Sequence, residues 1–246
     1  MSTFENSILG DVKGKVGEVI GRTRNGKYFI YATPKEVKIS NSPEAIKSRD
    51  IMKTAAKFAS TVNSIPELKH FWFNSKIIAF DAFHKIEKVN YPFFLPERPT
   101  LNNTIIPDIN EDNKIKEASI SPKGIKLKIL ISKIEEPKLY GAKELTGIGV
   151  ICYFTPKDKT IDYFHLSKIS ASPFDVKIDE QFEVEIPFSE KERSNYNSNR
   201  NSILYFTFVS KDNTGTPLKF CCNYRNEFTH EITGEKERFF ICDSQP

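Results

Sequence analysis

The residues best suited to do chemistry sit together in GKVGEVIGRTRNGKYFIYATP, residues 14–34. The stretch holds four glycines, four cations and three aromatic rings, with Lys13 just before it. Glycine-rich segments cradle phosphate when backbone N–H groups converge and a helix N-terminus follows. Here there is no G-x-x-x-x-G-K-[ST], and the glycines lead into an apolar-aromatic run rather than a helix. The cations and rings carry a different chemistry. Lys13, Lys15, Arg22, Arg24 and Lys27 interleave with Tyr28, Phe29 and Tyr31, the ingredients of a stacking platform in a basic groove. Residues 1–62 hold 11 Lys/Arg against 6 Asp/Glu, a net of +5, in a chain whose total is +4. The basic excess therefore belongs to the N-terminal segment, where it could meet nucleic acid or an acidic partner.

Other chemical groupings are sparse. His70, His84, His165 and His230 are scattered, without the Cys or carboxylate spacing of a metal site. Cys152, Cys221, Cys222 and Cys242 lack metal-site spacing too, and reduced, partly buried thiols are expected. No G-x-S-x-G or H-E-x-x-H motif occurs. Asp81 and Glu87 read as solvated helix charges. The expectation is a protein that is not an enzyme and has no catalytic residue, metal or cofactor.

The elements that must position the basic-aromatic stretch read as a β-hairpin. Val16–Arg22 forms one arm and Lys27–Ala32 the other. Asn25-Gly26 suits the type I′ turn between them, where both central residues need positive φ. Tyr28, Ile30 and Ala32 face one way, Phe29 and Tyr31 the other, and both faces read as apolar. A lone hairpin is marginal in water, so it needs a cover. Gly17 and Gly21 inside a strand read as bulges or points of close backbone approach.

A helix should follow, with Ser42 as N-cap and Pro43 at its first position. Ala45, Ile46, Met52, Ala55, Ala56, Ala59 and Val62 give it an apolar stripe. Pro66–Ser75 and Ile77–Lys88 read as two further helical pieces. Residues 91–107 hold four prolines and read as an extended linker and the main domain boundary. Beyond it come short strands: Ile125–Ile131, Gly149–Phe154, Ile161–Leu166, Phe182–Phe188, Ile203–Val209, Leu218–Tyr224 and Phe239–Cys242. SEKERSNYNSNRN, residues 189–201, reads as a polar loop. The predicted fold is α+β, mainly β: an N-terminal β-hairpin arm and short helices, followed by an antiparallel Ig-like β-sandwich. The predicted parts are an arm over 1–41, a helical segment over 42–90, a linker over 91–107 and a sandwich over 108–246. The 246-residue length, 39% hydrophobic content and plentiful Phe (20) and Tyr (9) are compatible with this β-rich plan.

The N-terminal third, GKVGEVIGRTRNGKYFIYATP and then SPEAIKSRDIMKTAAKFAS, resembles a widespread family of uncharacterised bacterial proteins regarded as phage-like or virion-like structural proteins. The family pattern is G-x-V-G, a short strand, a Gly turn, a strand ending near Arg and Pro, and a helix with Gln and Arg near its start. Sandwich-like β regions follow. Gly14, Val16, Gly17, Gly26, Pro34, Pro43 and Arg49 match this pattern. Tyr31 or Ala32 stands where the family often carries Arg, and Lys47 or Ser48 where Gln is common. The resemblance covers about residues 10–90 and implies a structural role without enzymatic activity.

Two functions are therefore expected. The first is a structural subunit of a large self-assembling particle, such as a virion, tail-like particle or filament. Val16, Val19, Ile20, Tyr28, Phe29, Ile30 and Tyr31 would join copies of the chain, and other particle proteins would be partners. The alternative is a nucleic-acid-associated protein using Lys13, Lys15, Arg22, Arg24 and Lys27. The N-terminus MSTFENSILGDV does not read as a secretory signal, so synthesis in the cytoplasm and residence in an assembled particle are expected. No run approaches the roughly 18 apolar residues of a membrane helix, and no membrane partner is expected.

Overall fold

A computed structural model describes residues 2–4, 14–24, 27–33, 39–107, 115–131, 144–155, 164–175, 180–211, 215–220 and 222–230. The fold is mixed α+β and mainly β, and its described strand pairs are antiparallel. The chain divides into two compact units, residues 1–45 and 46–246.

The first unit contains β1 (Ser2–Phe4), β2 (Gly14–Val16), β3 (Val19–Arg24) and β4 (Lys27–Ala32). They form one four-stranded sheet in the order β1-β4-β3-β2. The hairpin is thus the centre of a sheet, with a further strand along each edge. Arg24 pairs with Lys27, so two residues join β3 to β4. Those two, Asn25 and Gly26, lie outside the described residues. The arm expected as Val16–Arg22 is broken at Gly17, whose φ is 60°. Val16 pairs with Val19, making Gly17-Glu18 a two-residue turn with positive φ at its first central position. Gly17 therefore turns the chain and does not bulge a strand. Gly21 sits within β3, opposite Gly14 and Ile30.

Helix α1 (Pro43–Asn63) starts where its sequence signals it, with the Ser42 hydroxyl accepting the Ala45 N–H at 3.2 Å. Its buried residues are Thr54, Ala55, Phe58, Ala59 and Val62. Ile46 and Met52, expected on that stripe, are exposed. At 3.6 residues per turn Ile46 lies about a third of a turn away from Phe58, off the buried side. Helix α2 (Pro66–Asn74) buries Leu68, Phe71 and Trp72. Helix α3 (Ala82–Asn90) begins later than expected because Asp81 caps it, accepting the His84 N–H at 2.9 Å. Asp81 is thus a cap rather than a free solvated charge.

Residues 91–107, expected as a linker, belong to the core of the second unit. Phe94, Ile105 and Ile106 are buried, and the Trp72 indole N–H donates to the Ile105 carbonyl at 2.7 Å. The prolines leave room for only a single 3₁₀ turn, Tyr91–Phe93, but they do not exclude burial, provided the backbone finds partners. Asn90 supplies them. Its Oδ1 accepts the Thr104 N–H at 2.6 Å, while its Nδ2 donates to the Ile86 and Thr104 carbonyls. Asn103 Nδ2 in turn donates to the Asn90 carbonyl at 3.0 Å. The division of the chain accordingly falls at 45/46 and not in this stretch.

The remaining strands are β5 (Ile115–Ser121), β6 (Gly124–Leu130), β7 (Glu144–Phe154), β8 (Phe164–Ser170), β9 (Phe174–Asp175), β10 (Gln181–Pro187), β11 (Asn201–Lys211), β12 (Pro217–Phe220) and β13 (Tyr224–Thr229). One sheet runs β10-β6-β5. The other runs β12-β11-β7-β8, with β13 also on β11 and β9 also on β7. This larger sheet is covered on both faces. Ile148, Val150, Cys152, Phe154, Ile203 and Tyr205 pack with the helices. Ile151, Tyr153, Leu204, Phe206 and Phe208 pack with Ile125, Leu127, Ile129, Val184 and Ile186 of the three-stranded sheet. Residues 202–210 of β11 are buried without interruption, as a strand covered on both faces requires. The second unit therefore has three layers, helices, central sheet and smaller sheet, where a two-layer sandwich was expected.

Residues 189–201 also differ from expectation, since they contain helix α4 (Glu190–Ser198). Ser189 Oγ accepts the Glu192 N–H, and the Glu192 carboxylate accepts the Ser189 N–H at 2.7 Å, a reciprocal capping box. The expected strand at Phe239–Cys242 lies outside the described residues. No helix among the described residues is long and apolar enough to cross a membrane.

Candidate functional site

Strand register sorts the residues of the N-terminal sheet. Directly paired residues share a face, and successive residues along a strand take opposite faces. Lys15 pairs with Ile20, Ile20 with Tyr31, and Arg22 with Phe29. The pair Arg24–Lys27 and the position of Thr3 opposite Phe29 fall on this same face. It thus carries four cations and two rings among its eight register positions, with no carboxylate. The other face takes Ser2, Phe4, Gly14, Val16, Val19, Gly21, Thr23, Tyr28, Ile30 and Ala32. None of its ten positions is charged. The two faces expected to be alike are a basic-aromatic face and an uncharged one.

The expected assembly residues are divided by this sorting. Val16, Val19, Tyr28 and Ile30 take the uncharged face, and Ile20, Phe29 and Tyr31 the basic-aromatic one. Among expected nucleic-acid contacts, Lys15, Arg22, Arg24 and Lys27 share one face, while Lys13 lies outside the described residues. Lys15 and Arg22 are exposed, and Ile20, Phe29 and Tyr31 are half-buried. On the other face Val19 is 41% exposed, Ala32 is exposed and Ile30 is half-buried. Sequence alternation separates the rings along β4, but placing Lys15 beside Ile20 requires the turn at Gly17.

The second unit offers groups for other chemistry without assembling them. His84 Nδ1 lies 2.8 Å from Asp81 Oδ1, and His70 Nε2 is 3.1 Å from Asn74 Nδ2, so each ring has a local helix partner. Cys152 is fully buried, and burial pushes its thiol well above the ordinary value, away from a reactive thiolate. Cys222 is buried, its thiol donating to the Phe206 carbonyl at 3.9 Å; Cys221 and Cys242 lie outside the described residues. Among the described residues no group of three or more His, Cys, Asp or Glu is placed to hold a metal. Sequence reading missed one buried polar group under α4. Ser202 Oγ and the Tyr153 hydroxyl, on paired residues of β11 and β7, have no hydrogen-bond partner. His230 stacks on Tyr196 with ring centroids 4.0 Å apart. Burial pushes the His230 imidazole below its usual range, against the Tyr196 and Asn199 carbonyls. No base is hydrogen-bonded to the Ser202 hydroxyl.

Comparison of the chain with protein-family models, curated proteins and solved structures finds no match in any of the three.

Proposed function

We propose that the protein is a non-enzymatic structural subunit of a self-assembling particle, and that the uncharged face of its N-terminal sheet joins neighbouring copies. The observation that carries this reading is the absence of charge from all ten positions of that face. The described residues of the first unit supply no second layer over it, and a single-layer sheet cannot bury a face alone. At about 25 cal/mol per Å² of apolar surface removed from water, a few aliphatic side chains contribute several kcal/mol per contact. Repeated around a ring or along a tube, such contacts add up. The kind of particle, a virion, tail-like assembly or filament, and the other particle proteins as partners follow from the sequence resemblance. In this reading the two sheets of the second unit that share a core are an Ig-like sandwich extended by a helical layer. The chain is made in the cytoplasm and ends in the particle.

Sedimentation velocity at tens of micromolar tests this. The unaltered chain is expected to sediment as an oligomer. Val19→Asp with Ala32→Asp sets two carboxylates opposite each other at exposed positions and is expected to give monomers with an unchanged circular dichroism spectrum. A monomeric unaltered chain, or equal assembly of both chains, refutes the proposal.

A further inference from the structure

We propose that the basic-aromatic face of the N-terminal sheet binds single-stranded nucleic acid. This stands apart from the assembly reading, which concerns the opposite face. Lys15 on β2, Arg22 and Arg24 on β3, and Lys27 on β4 occupy three adjacent strands, spaced about 4.8 Å from one to the next. No carboxylate shares their face, so it complements an anion. Phe29 and Tyr31 on β4 add what a merely acidic partner would not use, since every base has a flat face that stacks on a ring. The spacing of the rings decides between one strand and two. At about 3.4 Å per residue they stand roughly 7 Å apart, twice the 3.4 Å base step of a duplex. Bases resting on both rings must be unstacked from each other, which a flexible single strand permits and a duplex does not. Arg22, directly opposite Phe29, then lies where the phosphate beside a stacked base passes.

Fluorescence anisotropy of a labelled oligothymidylate of about 20 nucleotides, longer than one such site needs, tests the proposal on the full chain. Four phosphate contacts predict a salt slope of about −2.8, so affinity falls about fifty-fold from 50 to 200 mM salt. Lys15→Gln with Arg22→Gln, both at exposed positions, is expected to weaken binding and bring the slope to about −1.4. Phe29→Ala is expected to weaken single-strand binding about 5- to 150-fold. If Phe29→Ala disturbs the sheet by circular dichroism, the Lys15/Arg22 chain and a duplex competitor still decide. Absence of binding at 50 mM salt overturns the proposal. So does a duplex of equal length or polyglutamate bound as tightly as the oligothymidylate, or a folded Phe29→Ala chain that binds undiminished. The Lys15→Gln/Arg22→Gln chain is expected to sediment like the unaltered one, which separates failure here from failure of the assembly reading.

Discussion

Residues 1–45 and 46–246 solve the problem of a sheet face in opposite ways. In the second unit the chain covers its own faces. The central sheet buries one face under α1–α3 and the other under the β10-β6-β5 sheet. Among the described residues, neither hydrophobic cluster includes one before Ile51. The described residues of the first unit add a sheet but no such cluster, and its register puts all its cations on one face and only uncharged residues on the other. A face covered from within needs only shape and apolarity. A face that meets a partner must also match that partner's charge. The contrast places the described hydrophobic clusters in the second unit, and under the proposals above it assigns recognition to the first.

The largest test of that division is Phe206→Ala. Phe206 is fully buried in β11, and its ring passes close over Gly147 and Gly149, where an added Cβ would lie 2.5 Å and 2.9 Å from ring atoms. Truncation leaves a cavity and is expected to cost about 3–5 kcal/mol, read as a lowered urea midpoint. Arg22→Gln in the first unit is expected to change that midpoint by less than about 0.5 kcal/mol. Comparable losses from the two substitutions would break the division.

Asn90→Ala comes next. It strips the Thr104 N–H of its partner inside the core and is expected to cost about 1–3 kcal/mol. It also tests whether 91–107 belongs to the body. In the unaltered chain, native-state proteolysis is expected to spare this stretch, and Asn90→Ala should expose it to cleavage. Rapid cleavage of 91–107 in the unaltered chain would restore the linker interpretation.

Much of this architecture was legible in the sequence, for identifiable reasons. Ser42-Pro43 and Pro66 mark helix starts through local chemistry, and the alternation of Phe182, Val184 and Ile186 is local as well. The third layer was not local. Its sign was the nearly continuous apolar run Ile203–Val209, broken only by Thr207, which a strand buried on both faces needs and a two-layer sandwich does not. The four prolines of 91–107 were visible, but the side chains that satisfy its backbone include Asn90, fourteen residues from Thr104. Helix α4 was announced by Ser189 and Glu192 and masked by its polar composition, with Tyr196 its only buried residue. At the candidate site the cations and rings were visible as a set. Their segregation was not, because Lys15 joins the set only through the β2–β3 register.

The capping box of α4 gives a smaller effect within the stable unit. Ser189→Ala removes the acceptor for the Glu192 N–H and is expected to cost about 1 kcal/mol in the urea midpoint. Ser189→Asp can also accept that N–H and is expected to keep most of the stability. If both substitutions cost the same, the cap does not stabilise the helix.

The smallest effect concerns an ion pair inside the second unit. Glu67 on α2 and Lys211 at the end of β11 meet at 2.7 Å, tying the helical layer to the central sheet, with side chains 17% and 32% exposed. Burial pushes the Glu67 carboxyl up, but the Lys211 hydrogen bond and charge, together with a backbone hydrogen bond, outweigh it and hold the group below its ordinary 4.5. The folded state therefore favours the carboxylate, and the unfolded state binds the proton more readily. The stabilisation is fully present above pH 4.5 and fades as pH falls through the lower, folded value. Partial exposure keeps the gain small, so Glu67→Gln is expected to cost no more than about 1 kcal/mol at pH 7. Urea midpoints of the two chains should converge as pH is lowered below 4.5, and at neutral pH added salt should narrow the gap in part. Lys15 and Arg22 give the counterpart in the first unit: neutralising them should alter partner affinity with salt and leave the midpoint unmoved. A Glu67→Gln difference that persists unchanged into acid would mean that Glu67 contributes packing and not charge. The tie between α2 and the end of β11 would then rest on packing, leaving the Lys57 ammonium, which donates to the Phe164 carbonyl at 2.8 Å, as a charged link between the helical layer and the central sheet.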